Sequence, residues 1–69
     1  MSLRKHSITL NNHRTSLTLE DEFWNELKVL AKKQKRPLQD LIEEIDRARP
    51  GNLSSAIRVY VLKAAKTGA

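Results

Sequence analysis

Two short runs near the amino terminus alternate polar and apolar side chains with a period of two, the mark of a half-buried strand. The first is Lys5-His6-Ser7-Ile8-Thr9-Leu10 and the second His13-Arg14-Thr15-Ser16-Leu17-Thr18-Leu19. Asn11-Asn12 separates them, and asparagine tolerates the positive φ that both central residues of a type I′ hairpin turn require. If Leu10 pairs with His13, Ile8 meets Thr15 and His6 meets Leu17. Ile8, Leu10, Leu17 and Leu19 then share one face, and Lys5, Ser7, Thr9, Arg14, Ser16 and Thr18 the other. This sorting predicts a hairpin within residues 1–19. A single strand over the second run, preceded by a flexible arm, is the alternative.

The period then changes to that of a helix. Phe23, Leu27, Leu30 and Ala31 fall on one side of a first helix over residues 20–35, ending near Gln34, with Trp24 beside them. Acids in its first turn and lysines in its last complement the helix dipole. Lys35-Arg36-Pro37 breaks it, since Pro37 disfavours helical geometry at Arg36 and suits the first turn of a new helix. A second helix follows over residues 38–48, with Leu38, Leu41, Ile42 and Ile45 inward. Pro50-Gly51 is a stop, and Asn52 is a good N-cap for a third helix over residues 53–66. There Leu53, Ala56, Ile57, Tyr60, Val61 and Ala64 form one stripe, widened by Val59 and Leu62. So broad an apolar surface predicts burial from two sides, at a subunit interface.

With 69 residues the chain is one domain and buries a thin core when alone. It has no cysteine to supply a disulfide or a thiolate metal site. Oligomerisation is the remaining support, and the expectation is an obligate dimer. The net charge of +5 and the pI of about 10.0 suit an anionic partner, nucleic acid before all others. The charge is uneven: residues 1–19 carry Arg4, Lys5 and Arg14 and no acid, and Lys32, Lys33, Lys35 and Arg36 form a second cluster. No apolar run is long enough to span a bilayer or to form a signal-peptide core, and no helix sets a basic face against an apolar one. A cytoplasmic protein with no membrane partner is expected.

Chemistry other than binding finds little support. His6 and His13 have no third ligand spaced near them, so no metal site is expected and the two histidines are read as ordinary sheet or solvated residues. Asp40, Glu43, Glu44 and Asp46 suggest no pocket, and Glu43 can pair with Arg47 one turn along the helix. There is no Ser-His-Asp arrangement, Gly-rich loop or zinc motif, so neither an enzyme nor a cofactor is expected. The polar hairpin face is different. An arginine and two hydroxyls on alternate positions of a strand are what a β-ribbon needs to reach base edges in the DNA major groove.

Four segments in order carry a family resemblance: His-Arg-Thr-Ser at 13–16, Leu-Glu-Asp-Glu-Phe-Trp at 19–24, Leu-Ile-Glu-Glu-Ile-Asp at 41–46 and Asn-Leu-Ser-Ser-Ala-Ile-Arg-Val at 52–59. The chain resembles the ribbon-helix-helix DNA-binding domains of the MetJ/Arc type, with a third helix added. That resemblance implies an α+β fold, an intertwined homodimer, and two strands paired antiparallel across a two-fold axis. It implies that Arg14, Ser16 and Thr18 touch bases. Phosphates would be met by Lys5, Lys35, Arg36, Leu38 and Gln39, the last four where the second helix starts. The dimer interface would include Leu17, Leu19, Phe23, Trp24, Ile42, Ile45, Ile57, Tyr60 and Val61. The chain departs from the family pattern in two places. Pro37 stands where a serine or threonine usually caps the second helix. The extra strand would make a four-stranded dimer sheet, with outer strands that either ride over the phosphates or peel away.

The resemblance implies a sequence-specific transcriptional regulator, a repressor among the outcomes. Two alternatives stay open. One is an antitoxin or other protein-interaction module gripping its partner through the third helix. The other is architectural DNA binding driven by phosphate contacts alone, with steep salt dependence.

Overall fold

In the computed structural model, residues 3–48 and 51–67 are described. The chain forms a hairpin of β1 (Leu3–Leu10) and β2 (His13–Glu20), followed by α1 (Asp21–Lys33), α2 (Leu38–Ala48) and α3 (Leu53–Lys66). This is the expected α+β layout of a ribbon followed by three helices.

The hairpin register agrees with the reading from alternation pair by pair: Leu10 with His13, Ile8 with Thr15, His6 with Leu17. Asn11 and Asn12 have φ of 51° and 69°, both in the left-handed region, as a type I′ turn demands. Residues 5–10 are therefore strand rather than a loose arm. The pairing also runs beyond the alternating pattern, to Leu3 opposite Glu20.

Glu20 is the last strand residue and the extended N-cap of α1, with φ −63° and ψ 144°. Its side chain caps nothing, because its carboxylate is taken by Arg58 of α3 at 2.8 Å. At the other end of α1 the chain closes a Schellman turn. Lys35 adopts φ 57°, its amide donates to the Lys32 carbonyl at 3.0 Å, and the Arg36 amide donates to the Ala31 carbonyl at 3.1 Å. The helix thus stops at Lys33, short of Lys35. Pro37 lies just before α2 and its carbonyl accepts the first helical bond, from Leu41 at 3.3 Å. It occupies the N-cap, one position earlier than the first-turn site the sequence suggested. Asn52 caps α3 as expected, accepting from the Ser55 amide at 3.1 Å. Pro50, expected to end α2, and the last two tail residues lie outside the described residues.

One face of the hairpin is covered by the helices and the other is bare. Leu17 and Leu19 reach down from β2 to meet Leu27, Leu30 and Ala31 of α1, Leu41, Ile42 and Ile45 of α2, and Ile57 and Val61 of α3. Each large aliphatic side chain so buried contributes roughly 1.5–3 kcal/mol. Ile8 and Leu10 pack against this core from β1, as do Phe23 and Trp24 from α1. Trp24 also stacks on His6, with ring centroids 3.8 Å apart and planes 9° from parallel. His6 is thus a packing residue of the sheet's inner face. An Arg4–Asp21 ion pair at 3.1 Å ties the start of β1 to the start of α1.

Candidate nucleic-acid interface

The bare face of the hairpin carries Lys5 opposite Thr18, Ser7 opposite Ser16 and Thr9 opposite Arg14. All but the half-buried Thr9 are exposed. Strand parity places them there: once Leu17 and Leu19 go to the core, every even-numbered residue of β2 must face outward. The sole acid on this face is Glu20, at its end. Arg58 donates to that carboxylate and holds it below the usual carboxylate range. Between Lys5 and Arg14 the face is therefore polar and positive, with a cation near each end and hydroxyls between; beyond Lys5 it ends at Glu20 and the exposed Leu3 opposite it. Arg14 and Thr18 lie four residues apart, about 13 Å along the strand.

The same residues have a second property that alternation alone did not bring out. A two-residue loop makes Leu10 and His13 a hydrogen-bonded pair, and such pairs alternate along an antiparallel ladder. Arg14, Ser16 and Thr18 are then the non-bonded positions, so their main-chain N–H and C=O groups turn away from β1 toward the open edge of β2. Ser54 Oγ of α3 donates to the Thr18 carbonyl at 2.8 Å, at the end of that edge. Loop length and parity together would have revealed the open edge. The Ser54 contact, 36 residues away in sequence, carried no local signal.

The second candidate region is the α1–α2 turn. Pro37 offers no side-chain acceptor, so it caps none of the first amides of α2, those of Leu38, Gln39 and Asp40. Those amides, with the helix dipole behind them, suit an anion. The Lys35 side chain is exposed beside them. Arg36 is not free in the same way. Its Nε donates to Gln34 Oε1 at 3.0 Å and its Nη1 to Glu44 Oε1 at 2.9 Å. Glu44 raises the arginine's pKa further, and Arg36 holds the Glu44 carboxyl below its usual range.

The two regions adjoin. Leu38 and Gln39 border the same cleft as Ser7, Ile8 and Thr9 of β1. Glu43 accepts from Gln39 Nε2 at 3.3 Å and from the Asn11 amide at 3.4 Å, tying the hairpin loop to α2. So β1 lies between β2 and the start of α2, and the tertiary structure gathers Lys5, Arg14, Ser16, Thr18, Leu38 and Gln39 on neighbouring elements.

The residues expected at a subunit interface divide in two. Leu17, Leu19, Ile42, Ile45, Ile57 and Val61 are already buried within one chain. Phe23, Trp24 and Tyr60 are half-buried at the core's margin. Tyr60 also lines an apolar groove between α2 and α3, together with Ile45, Ala48, Ala56 and Val59. Val59 and Leu62 remain 49% and 54% exposed. No helix among the described residues is long and apolar enough to cross a membrane.

A family model described as a ribbon-helix-helix domain matches residues 3–65. Domains of that kind are DNA-binding regulatory modules rather than enzymes. Comparison with curated proteins and with solved structures returned no match.

Proposed function

Because the chain belongs to the ribbon-helix-helix domain family, we propose that it is a homodimeric, sequence-specific regulator that reads the major groove of double-stranded DNA. The observation that carries this reading is the double use of Arg14, Ser16 and Thr18. Their side chains line an exposed polar face. Their main-chain groups face an open strand edge, where a second copy's β2 can pair antiparallel.

Such a pairing makes a four-stranded sheet with β1 outermost on each side. With strands about 4.8 Å apart, the outer two lie roughly 14 Å from one another. The major groove is about 12 Å wide, so the two central strands enter and the outer strands ride over the groove walls. Arg14 is then the base reader, able to bond guanine O6 and N7 with its fork, while Ser16 and Thr18 contribute weaker polar contacts. Lys5 meets phosphate from the outer strand. Lys35 and the amides of Leu38 and Gln39 meet it from the turn, with Arg36 adding its charge beside them. Burial of the half-exposed Tyr60, together with Val59 and the α2–α3 groove, completes the dimer below the sheet.

A second reading is favoured by the apolar groove and the exposed Leu62: a protein-interaction module gripping its partner through α3. Selection of bound duplexes from a random library at near-physiological salt separates the two. An enriched inverted repeat supports the dimeric base reader. Binding without enrichment reduces the protein to an architectural role. No recovery above background moves the weight to α3 and a protein partner.

A further inference from the structure

A chain of three hydrogen bonds crosses the back of the α1–α2 turn. Tyr60 Oη accepts from Gln34 Nε2 at 2.6 Å, Gln34 Oε1 accepts from Arg36 Nε at 3.0 Å, and Arg36 Nη1 donates to Glu44 Oε1 at 2.9 Å. Tyr60 belongs to α3, Gln34 is the C-cap of α1, and Glu44 lies in α2. All three helices are therefore joined through the two side chains that flank Lys35.

The turn they span is short and conformationally demanding. Lys35 sits at φ 57°, a region that a residue with a Cβ occupies only when its surroundings hold it there. The start of α2 has no side-chain cap from Pro37 to stiffen it. Arg36 supplies what the cap does not. Its planar guanidinium is gripped at Nε and Nη1 by two acceptors, which sets its orientation as a single bond would not. Gln34 is suited to the junction because its amide donates to one neighbour and accepts from the other.

On the DNA-binding reading above, we propose that Tyr60, Gln34 and Glu44 are positioning residues: they hold Arg36 as a strap across the turn, so that Lys35 and the amides of Leu38 and Gln39 face a phosphate together. Anion binding at a helix start depends on direction, because its amides all point along one axis. A turn free to swing presents them over a spread of directions and binds more weakly. The strap's outer ends, Tyr60 and Glu44, also line the α2–α3 groove, so whatever fills that groove bears on the same turn.

Tyr60→Phe tests this, since it removes the hydroxyl and keeps the ring in the groove. In the free protein, the amide resonances of Lys35, Leu38 and Gln39 shift, not merely those of α3. On DNA, affinity of the dimer falls about 25-fold, about fivefold for the one net hydrogen bond lost in each protomer. The loss is equal on preferred and random duplex, because phosphate contacts position the protein without reading sequence. In a Gln34→Ala background the same change has no further effect, because the chain is already cut. Unchanged affinity, or a loss that simply adds to that of Gln34→Ala, overturns the strap and leaves the DNA reading standing. Turn-wide shifts in a protein that binds no duplex overturn the clamp along with that reading.

Discussion

Lys35→Gly should make the protein more stable and, at the same time, a weaker DNA binder. The position after Gln34 requires a left-handed backbone, φ 57°, and both Schellman bonds there are made by main-chain amides, at 3.0 and 3.1 Å. Neither bond needs the lysine side chain. A residue with a Cβ loses roughly 1–2 kcal/mol in this region. Glycine removes that penalty but gives back about 0.4–1 kcal/mol through the freedom it adds to the unfolded chain. The net gain then lies in the range of about 0–1.6 kcal/mol, and its centre, about 0.8 kcal/mol, raises the melting midpoint of a domain this small by roughly 3–6 °C. Thermal and urea unfolding followed by circular dichroism, at one fixed protein concentration, measure it. Binding moves the other way. Each protomer gives up one phosphate neighbour and the dimer two, so the slope of log affinity against log salt should flatten by about 1.8. Lys35→Ala separates the two effects, because it removes the ammonium and keeps the strained backbone: the same flatter slope, with no gain in stability. A Gly variant less stable than wild type would refute the Schellman account of the turn. An unchanged slope in both variants would remove Lys35 from the phosphate-binding set.

Other expectations follow from single observations. Arg14→Ala should cost roughly 1–3 kcal/mol of preference for the selected site while leaving random-duplex affinity much less affected; equal losses on both would end its base-reading role. Leu19 is fully buried, so Leu19→Ala should destabilise by about 2.7–5 kcal/mol, and a shift in the urea midpoint worth under about 1 kcal/mol would contradict its place in the core. Glu20 and Glu44 have carboxyl groups lowered below the ordinary value of 4.5, chiefly by hydrogen bonds from Arg58 and Arg36. Lowered carboxylates stabilise the fold above the unfolded value, so that contribution should fade as pH falls below 4.5 and through the depressed values. A Glu20→Gln, Glu44→Gln double variant should lose less stability over that acid range, as acid titration followed by circular dichroism would show. His6 Nε2 is buried with no hydrogen-bond partner. His6→Phe keeps the ring on Trp24 and should raise stability by up to about 1 kcal/mol; a lower melting midpoint would show that the nitrogen has a stabilising role.

Local rules make the hairpin and the helix ends visible in the chain itself. Alternation with period two, interrupted by two asparagines that accept positive φ, leaves one register that sorts both strands, and that register is the one formed. Asn52 can be read as a cap because a cap bonds only three residues ahead. Where local signals conflict, the boundaries move. Glu20 stands among acids that favour a helix start, yet it ends β2, paired with Leu3 of β1, and its carboxylate bonds Arg58, 38 residues away. Lys35 has good helical propensity, yet it ends the preceding turn because a left-handed residue there satisfies two carbonyls.

The amino-acid sequence by itself determined which side chains face outward on β2 and where a positive, hydroxyl-bearing strip lies, because side-chain direction in a strand depends only on parity. Only the tertiary structure decided that the start of α2 lies against β1 and that α3 reaches the end of β2 through Ser54 and Arg58. It alone tied Arg36 to Glu44 of α2 as well as to Gln34 at the end of α1. Apart from the Arg36–Gln34 bond, two positions apart, those contacts join residues eight to 38 positions apart. They depend on how three helices pack over one sheet face, and no periodicity along the chain encodes that packing.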